Sequence, residues 1–117
     1  MTGLPVLITD TARAQYLGMV GRTLQAAPHR PARPDAARRL IETYDVALVR
    51  IAADPRRWLT NPGPYPELSR YGFRWIKLHR YWFAWLPGPP AVITNILDEA
   101  GDIPRWISDE DGPVGVA

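Results

Sequence analysis

Residues 72–86 (GFRWIKLHRYWFAWL) concentrate the side chains that could do chemistry: three of the five tryptophans, the only lysine and one of the two histidines. Lys77, His79 and Arg80 stand together in this stretch. Imidazole titrates near neutral pH and can move a proton. Cleavage of RNA by attack of a 2′-hydroxyl needs a base, an acid and cations that stabilise a crowded phosphate, and these three side chains are the candidate catalytic set. Nothing else in the chain competes with them. There is no serine–histidine–acid arrangement and no glycine-rich phosphate loop. The two histidines, at 29 and 79, are too separate for a metal site, and no cofactor is expected.

Alternation of apolar and basic residues divides this stretch into two strands meeting at His79 and Arg80. Ile76, Leu78, Phe83 and Trp85 fall on the side expected to be buried. Trp75, Lys77, His79, Arg80 and Trp82, with Ala84, fall on a side expected to be open. Together with Arg74, these polar and aromatic side chains form the expected binding set. A sheet face mixing cations and aromatics can hold RNA or a single strand by charge and by stacking. Tryptophan and arginine also concentrate where proteins bind each other. A plain solvent face, with aromatics covering their cross-strand neighbours, is the third reading.

The elements that must position this hairpin come before and after it. Residues 4–8 are a short apolar run, read as a strand, and Thr9, Asp10 and Thr11 are all competent helix caps. Tyr16, Leu17, Val20 and Leu24 recur at helical spacing and define one apolar face. Gly18 and Gly21 weaken that helix by about 1 kcal/mol each relative to alanine, so it depends on packing. Residues 28–34, with three prolines, are read as a stiff basic connector. Asp35 is the expected cap of a second helix whose stripe is Ala37, Leu40, Ile41, Tyr44, Leu48 and Ile51, ending at Ala53 or Asp54 before Pro55. Residues 55–71 read as a long loop anchored by Trp58 and Leu59. A turn at 87–90 leads to a strand over 91–97, expected to pair beside residues 80–86. Trp106 is expected to pack inward from a short turn or helix, and residues 109–117 to form an acidic, mobile tail after a single domain of residues 1–108. The order is β-α-α-β-β-β, an α+β domain with a helical hairpin on one face of a small, mostly antiparallel sheet.

A chain of 117 residues can bury a modest single core. Without cysteine it has neither disulfides nor thiolate ligands. Its apolar runs are far short of a membrane span, and its opening residues lack the pattern of a signal peptide, so a soluble cytoplasmic protein is expected. The net charge of +2 conceals an imbalance. Residues 1–97 carry 13 Arg or Lys against 6 Asp or Glu, and the remainder carries 6 acids against one base. Such a body suits an anionic partner, whether nucleic acid or acidic protein, or an acidic tail folded back upon it.

Motif order adds one more reading. Residues 66–85 (PELSRYGFRWIKLHRYWFAW) followed by 93–107 (ITNILDEAGDIPRWI) resemble the RelE/ParE superfamily of type II toxin–antitoxin toxins. Members pair a Pro-Glu-Leu … Arg-x-apolar strand with an Arg-Tyr-x-apolar-x-aromatic strand, then run through Ile-Leu-His-Glu-Ala-Arg-Asp. Here that last motif is Ile96-Leu97-Asp98-Glu99-Ala100-Gly101-Asp102. The resemblance implies a growth-inhibiting toxin held in a hetero-oligomer by a cognate antitoxin. RelE-like members cut mRNA in the ribosome with basic residues on the strand face, whereas ParE-like members poison DNA gyrase. Lys77 matches a basic position of the ribonuclease group. Trp75, Trp82 and Gly101 stand where that group has cations, which places the sequence nearer the ParE-like side. Asp98 and Gly101 also replace the His and Arg usual there.

Overall fold

The computed structural model describes residues 6–26, 28–57 and 72–99. Their elements follow the order β1 (Leu7–Ile8), α1 (Asp10–Leu24), α2 (Pro34–Ala53), β2 (Arg74–Leu78), β3 (Tyr81–Leu86) and β4 (Val92–Asp98). The strands form one mixed sheet in the order β1-β4-β3-β2, with β1 parallel to β4 and the other pairs antiparallel. Both helices contribute to a core on one sheet face, so the α+β expectation holds in class and in element order. The expected anchors Trp58 and Leu59, the packing of Trp106 and the acidic tail lie outside the described residues.

Thr9 fastens the start of α1 to the sheet. Its hydroxyl oxygen accepts from Ala12 N at 3.1 Å, satisfying one of the free amides of the first turn, and its hydroxyl donates to the Thr94 carbonyl at 3.3 Å. Gln15 continues the attachment. Because β1 covers only Val92 and Ile93 of its neighbour, the Ile96 amide further along β4 lacks a strand partner on that side. It donates to Gln15 Oε1 at 2.9 Å instead.

The inward row of α1 differs from the expected one. Ala12 and Met19 are buried and Tyr16 and Val20 partly so, whereas Leu17 and Leu24 are 58% and 50% exposed. Two apolar rows run along this helix about 100° apart, and a helix lying on a sheet buries only one of them. Small Ala12 gives the buried row its close approach. Helix α2 starts one residue before the expected cap. Pro34 occupies the first turn, where its fixed φ suits the helix, and Arg33 precedes it without a side-chain cap bond. Asp35 therefore lies inside the first turn, where its charge favours the helix dipole, and it accepts from Arg38 Nη2 at 2.8 Å. Ala37, Leu40, Thr43, Ala47 and Ile51 form the buried row of α2, and Ile41 is exposed. The helix ends at Ala53 with Asp54 as its C-cap, as the following Pro55 requires. Tyr16 stacks on Tyr44 with ring centroids 4.2 Å apart, joining the two helices.

A bulge in β4 sets the core. The register passes from Ala84↔Asn95 to Trp85↔Ile93, leaving Thr94 over. This extra residue resets the alternation, so Ile93 and Ile96 both join the helix-side core with Ile76, Phe83 and Trp85. Trp85 also donates from Nε1 to the Pro55 carbonyl at 2.7 Å, pinning the end of α2 to β3.

Candidate functional site

The hairpin turns where the alternation places it, at His79 and Arg80, with Leu78 paired to Tyr81 across the turn. His79 takes φ 57°, the left-handed region in which histidine is tolerated better than most residues. Ile76, Phe83 and Trp85 lie in the helix-side core, with Leu78 packed against it. The division of side chains between the two faces is therefore as expected.

The state of the second face is not. Trp75 is 0% exposed and Trp82 is 4% exposed, and with Phe73, Ala84 and Leu97 they form a second buried cluster. Trp75 meets Phe73 and Trp82 edge to face, with centroids 6.2 and 6.1 Å away. These indoles are core, not a stacking platform for bases. Indoles are among the largest apolar side chains, so their removal from water contributes strongly to the core. Strand alternation distinguishes faces but says nothing about whether the second face is covered.

Around this cluster the charged residues are engaged. Lys77, opposite Trp82 in the ladder, has Nζ 5.8 Å from the indole centroid and 2.8 Å from Glu99 Oε1. Arg80 donates from Nε to Asp98 Oδ1 at 2.9 Å, and this bond is the main cause of its raised pKa. Arg80 also accepts the Glu99 amide at its carbonyl, 2.8 Å away. Arg74 is half-buried at the start of β2, opposite Trp85. His79 is exposed, with its side chain at the turn. The proposed catalytic residues thus share one end of the hairpin, but both cations there are tied to carboxylates.

That end carries a feature the sequence did not single out. Two adjoining hollows of about 190 and 180 Å³ lie among the end of α1, the connector, the first half of α2 and the β2–β3 turn. Both include Thr23, Arg33, Tyr81 and Asp98. The connector is held there by the Arg33 amide on the Thr23 carbonyl at 2.7 Å and by the Arg30 guanidinium on the Arg22 carbonyl. Arg39 enters from α2 beside His79 and Arg80. The connector's basic character and the placement of Arg39 off the apolar stripe were visible in the sequence. Their meeting at the hairpin turn depends on the tertiary fold.

Tyr81 reports the field at this place. Burial raises its pKa, with Asp98 adding to the rise, while Arg80, Arg33 and Arg39 oppose it. The phenol therefore stays protonated and able to donate at neutral pH. Among the described residues no group of three His, Asp or Glu side chains gathers as metal ligands, and no helix is long and apolar enough to cross a membrane. No protein-family model and no curated protein matches this chain.

Proposed function

We propose that this chain is the toxin of a type II toxin–antitoxin pair, nearer the ParE-like than the RelE-like kind, acting by binding a cellular target and not by catalysis. On this reading the target is DNA gyrase, and a cognate antitoxin holds the toxin inactive in a cytoplasmic hetero-oligomer. The motif resemblance over residues 66–107 supplies the class. A shared architecture alone would not, since one fold hosts many functions.

The observation that carries the binding half of the proposal is the outer surface of the helices. Leu17 and Leu24 on α1, and Ile41, Val46 and Val49 on α2, remain exposed, Val49 by 70%. Arg22 and Arg50 are exposed among them, and Arg13 and Arg38 are exposed there in pairs with Asp10 and Asp35. Apolar side chains among cations suit an amphipathic, acidic protein partner, which is the chemistry expected of the antitoxin. The ribonuclease alternative finds less support, because Trp75 and Trp82 are core and Lys77 and Arg80 are neutralised locally.

Induced expression in a bacterial host tests the proposal. Growth should stop, transcripts should stay intact, and the purified protein should inhibit gyrase supercoiling. Co-expression of a short acidic gene encoded beside it should restore growth and yield a co-purifying complex. Ribosome-dependent mRNA cuts that disappear in Lys77→Ala or His79→Ala would instead establish the RelE-like reading. Absence of both toxicity and complex would leave a non-toxic interaction protein.

A further inference from the structure

We propose that the arginine-lined hollow between the α1–α2 connector and the β2–β3 turn is a binding site for a small phosphate-class oxyanion. Among the described residues, the adjoining hollows are lined by five arginines, Arg22, Arg30, Arg33, Arg39 and Arg80, against one carboxylate, Asp98. Asp98 is already occupied by Arg80 at 2.9 Å. Among the described residues, no ion pair joins Arg22, Arg33 or Arg39 to a carboxylate.

Guanidinium groups remain charged at any pH a protein tolerates, so titration cannot relieve their repulsion as it would for lysine. An anion can. Phosphate is the fitting class because two guanidinium forks can each present a pair of donors to its oxygens. Tyr81, which lines both hollows, adds a hydroxyl donor. The hydroxyls of Thr23 and Thr43 donate to the carbonyls of Met19 and Arg39, so they are committed elsewhere.

Size narrows the ligand. A hollow of about 180 Å³ exceeds the roughly 30 Å³ share of one water several times, which accommodates a phosphate with its waters. Each of the two hollows, which share Thr23, Arg33, Tyr81 and Asp98 between them, is by itself smaller than the about 300–1,000 Å³ clefts that enclose drug-sized molecules. The site therefore takes the phosphate itself or the phosphoryl end of a small monoester, whose remainder extends into solvent. This inference stands apart from the toxin proposal and is tested without any growth assay.

Isothermal titration of the full chain with inorganic phosphate, and separately with ribose 5-phosphate, in chloride buffer of matched ionic strength, is the test. Saturable binding of either is expected, and the stronger of the two identifies a free or an esterified phosphate as the source. Arg33→Ala with Arg39→Ala should weaken it at least tenfold, with circular dichroism unchanged because both side chains are exposed. Asp98→Asn, which removes the opposing carboxylate among the described residues, should tighten it severalfold. Arg13→Ala with Arg50→Ala, away from the hollow, should leave it unchanged. Absence of saturable heat with both probes, or equal weakening by the Arg13 and Arg50 pair, overturns the proposal.

Discussion

Arg80 donates from Nε to Asp98 Oδ1 at 2.9 Å, so the turn between β2 and β3 is clasped to the last residue of β4. The next residue, Glu99, repeats the relationship with Lys77 at 2.8 Å. Two consecutive acids thus hold Lys77 and Arg80, the two cations that the turn end of the hairpin would otherwise offer to a phosphate backbone. The arrangement follows from register: Tyr81 pairs with Leu78 on one side and Asp98 on the other, bringing the ends of β2 and β4 to the same end of β3.

These pairs are half-exposed, and such pairs contribute at most about 1 kcal/mol. The double variant Asp98→Asn with Glu99→Gln, which removes both pairs, should therefore unfold in urea within about 2 kcal/mol of the parent. Freed of their carboxylates, Lys77 and Arg80 should still fail to cut mRNA on ribosomes, because Trp75 and Trp82 fill the face beside them as buried core. Acquired cleavage would show that the acids restrain a working nuclease.

Trp75 provides the sharpest contrast between a surface and a core reading. Truncating an exposed aromatic changes stability little, whereas a buried one leaves a cavity. Trp75→Ala should cost about 3–5 kcal/mol, a large part of the about 5–15 kcal/mol typical of a domain. Trp75→Lys should not fold stably, since an unpaired ammonium would be buried. Chemical denaturation followed by far-ultraviolet circular dichroism checks both. A cost within about 0.5 kcal/mol for the alanine variant would return Trp75 to the surface.

Thr9 joins two structural tasks, and its removal should exceed the cost of an ordinary cap. Thr9→Ala loses the acceptor for the Ala12 amide and the bond to the Thr94 carbonyl at once. An expected loss of about 2 kcal/mol lies at the upper end for helix caps. Thr9→Ser keeps the hydroxyl and should recover most of it in urea unfolding. Equal losses in the two variants would assign the effect to the missing methyl instead.

The hairpin and its partition were readable because period-2 alternation over residues 74–86 is strong and local. The helices were readable as elements because their apolar residues recur at three- and four-residue spacing, yet not always as to which row points inward. Leu17 and Leu24 outweigh Ala12 by hydrophobicity, but the sheet accepts the row with the smaller residue. Ile93 and Ile96 could not be assigned to one face by any regular strand period, since a bulge at Thr94 creates that relationship. The candidate site was half legible. Lys77, His79 and Arg80 are neighbours in sequence, whereas Arg33 and Arg39 reach the hairpin turn only through the packing of the connector and α2.

His79 sits at positive φ, where a side chain costs about 1–2 kcal/mol that glycine avoids. Glycine also loses more entropy on folding, by about 0.4–1 kcal/mol. His79→Gly should therefore be neutral or stabilising by up to about 1 kcal/mol in thermal unfolding. His79→Val, β-branched and poorly suited to this region, should destabilise. The opposite order would mean that the imidazole makes interactions stronger than the backbone strain.

Tyr16, Tyr44 and Tyr81 set an alkaline limit on stability. Burial is the leading cause of a raised pKa in all three. Below their ordinary value of 10.0 each phenol is neutral in folded and unfolded chains alike, and no penalty arises. Above it the unfolded chain releases protons that the folded chain still holds, so the unfolded state gains and stability falls as pH rises. Thermal unfolding from about pH 8 to about pH 11 should show a falling Tm whose onset lies near the ordinary tyrosine range. Tyr16→Phe with Tyr44→Phe retains the stacked rings and removes two of the three ionisations. Its Tm should fall less steeply over the same interval, and an unchanged slope would place the alkaline sensitivity elsewhere.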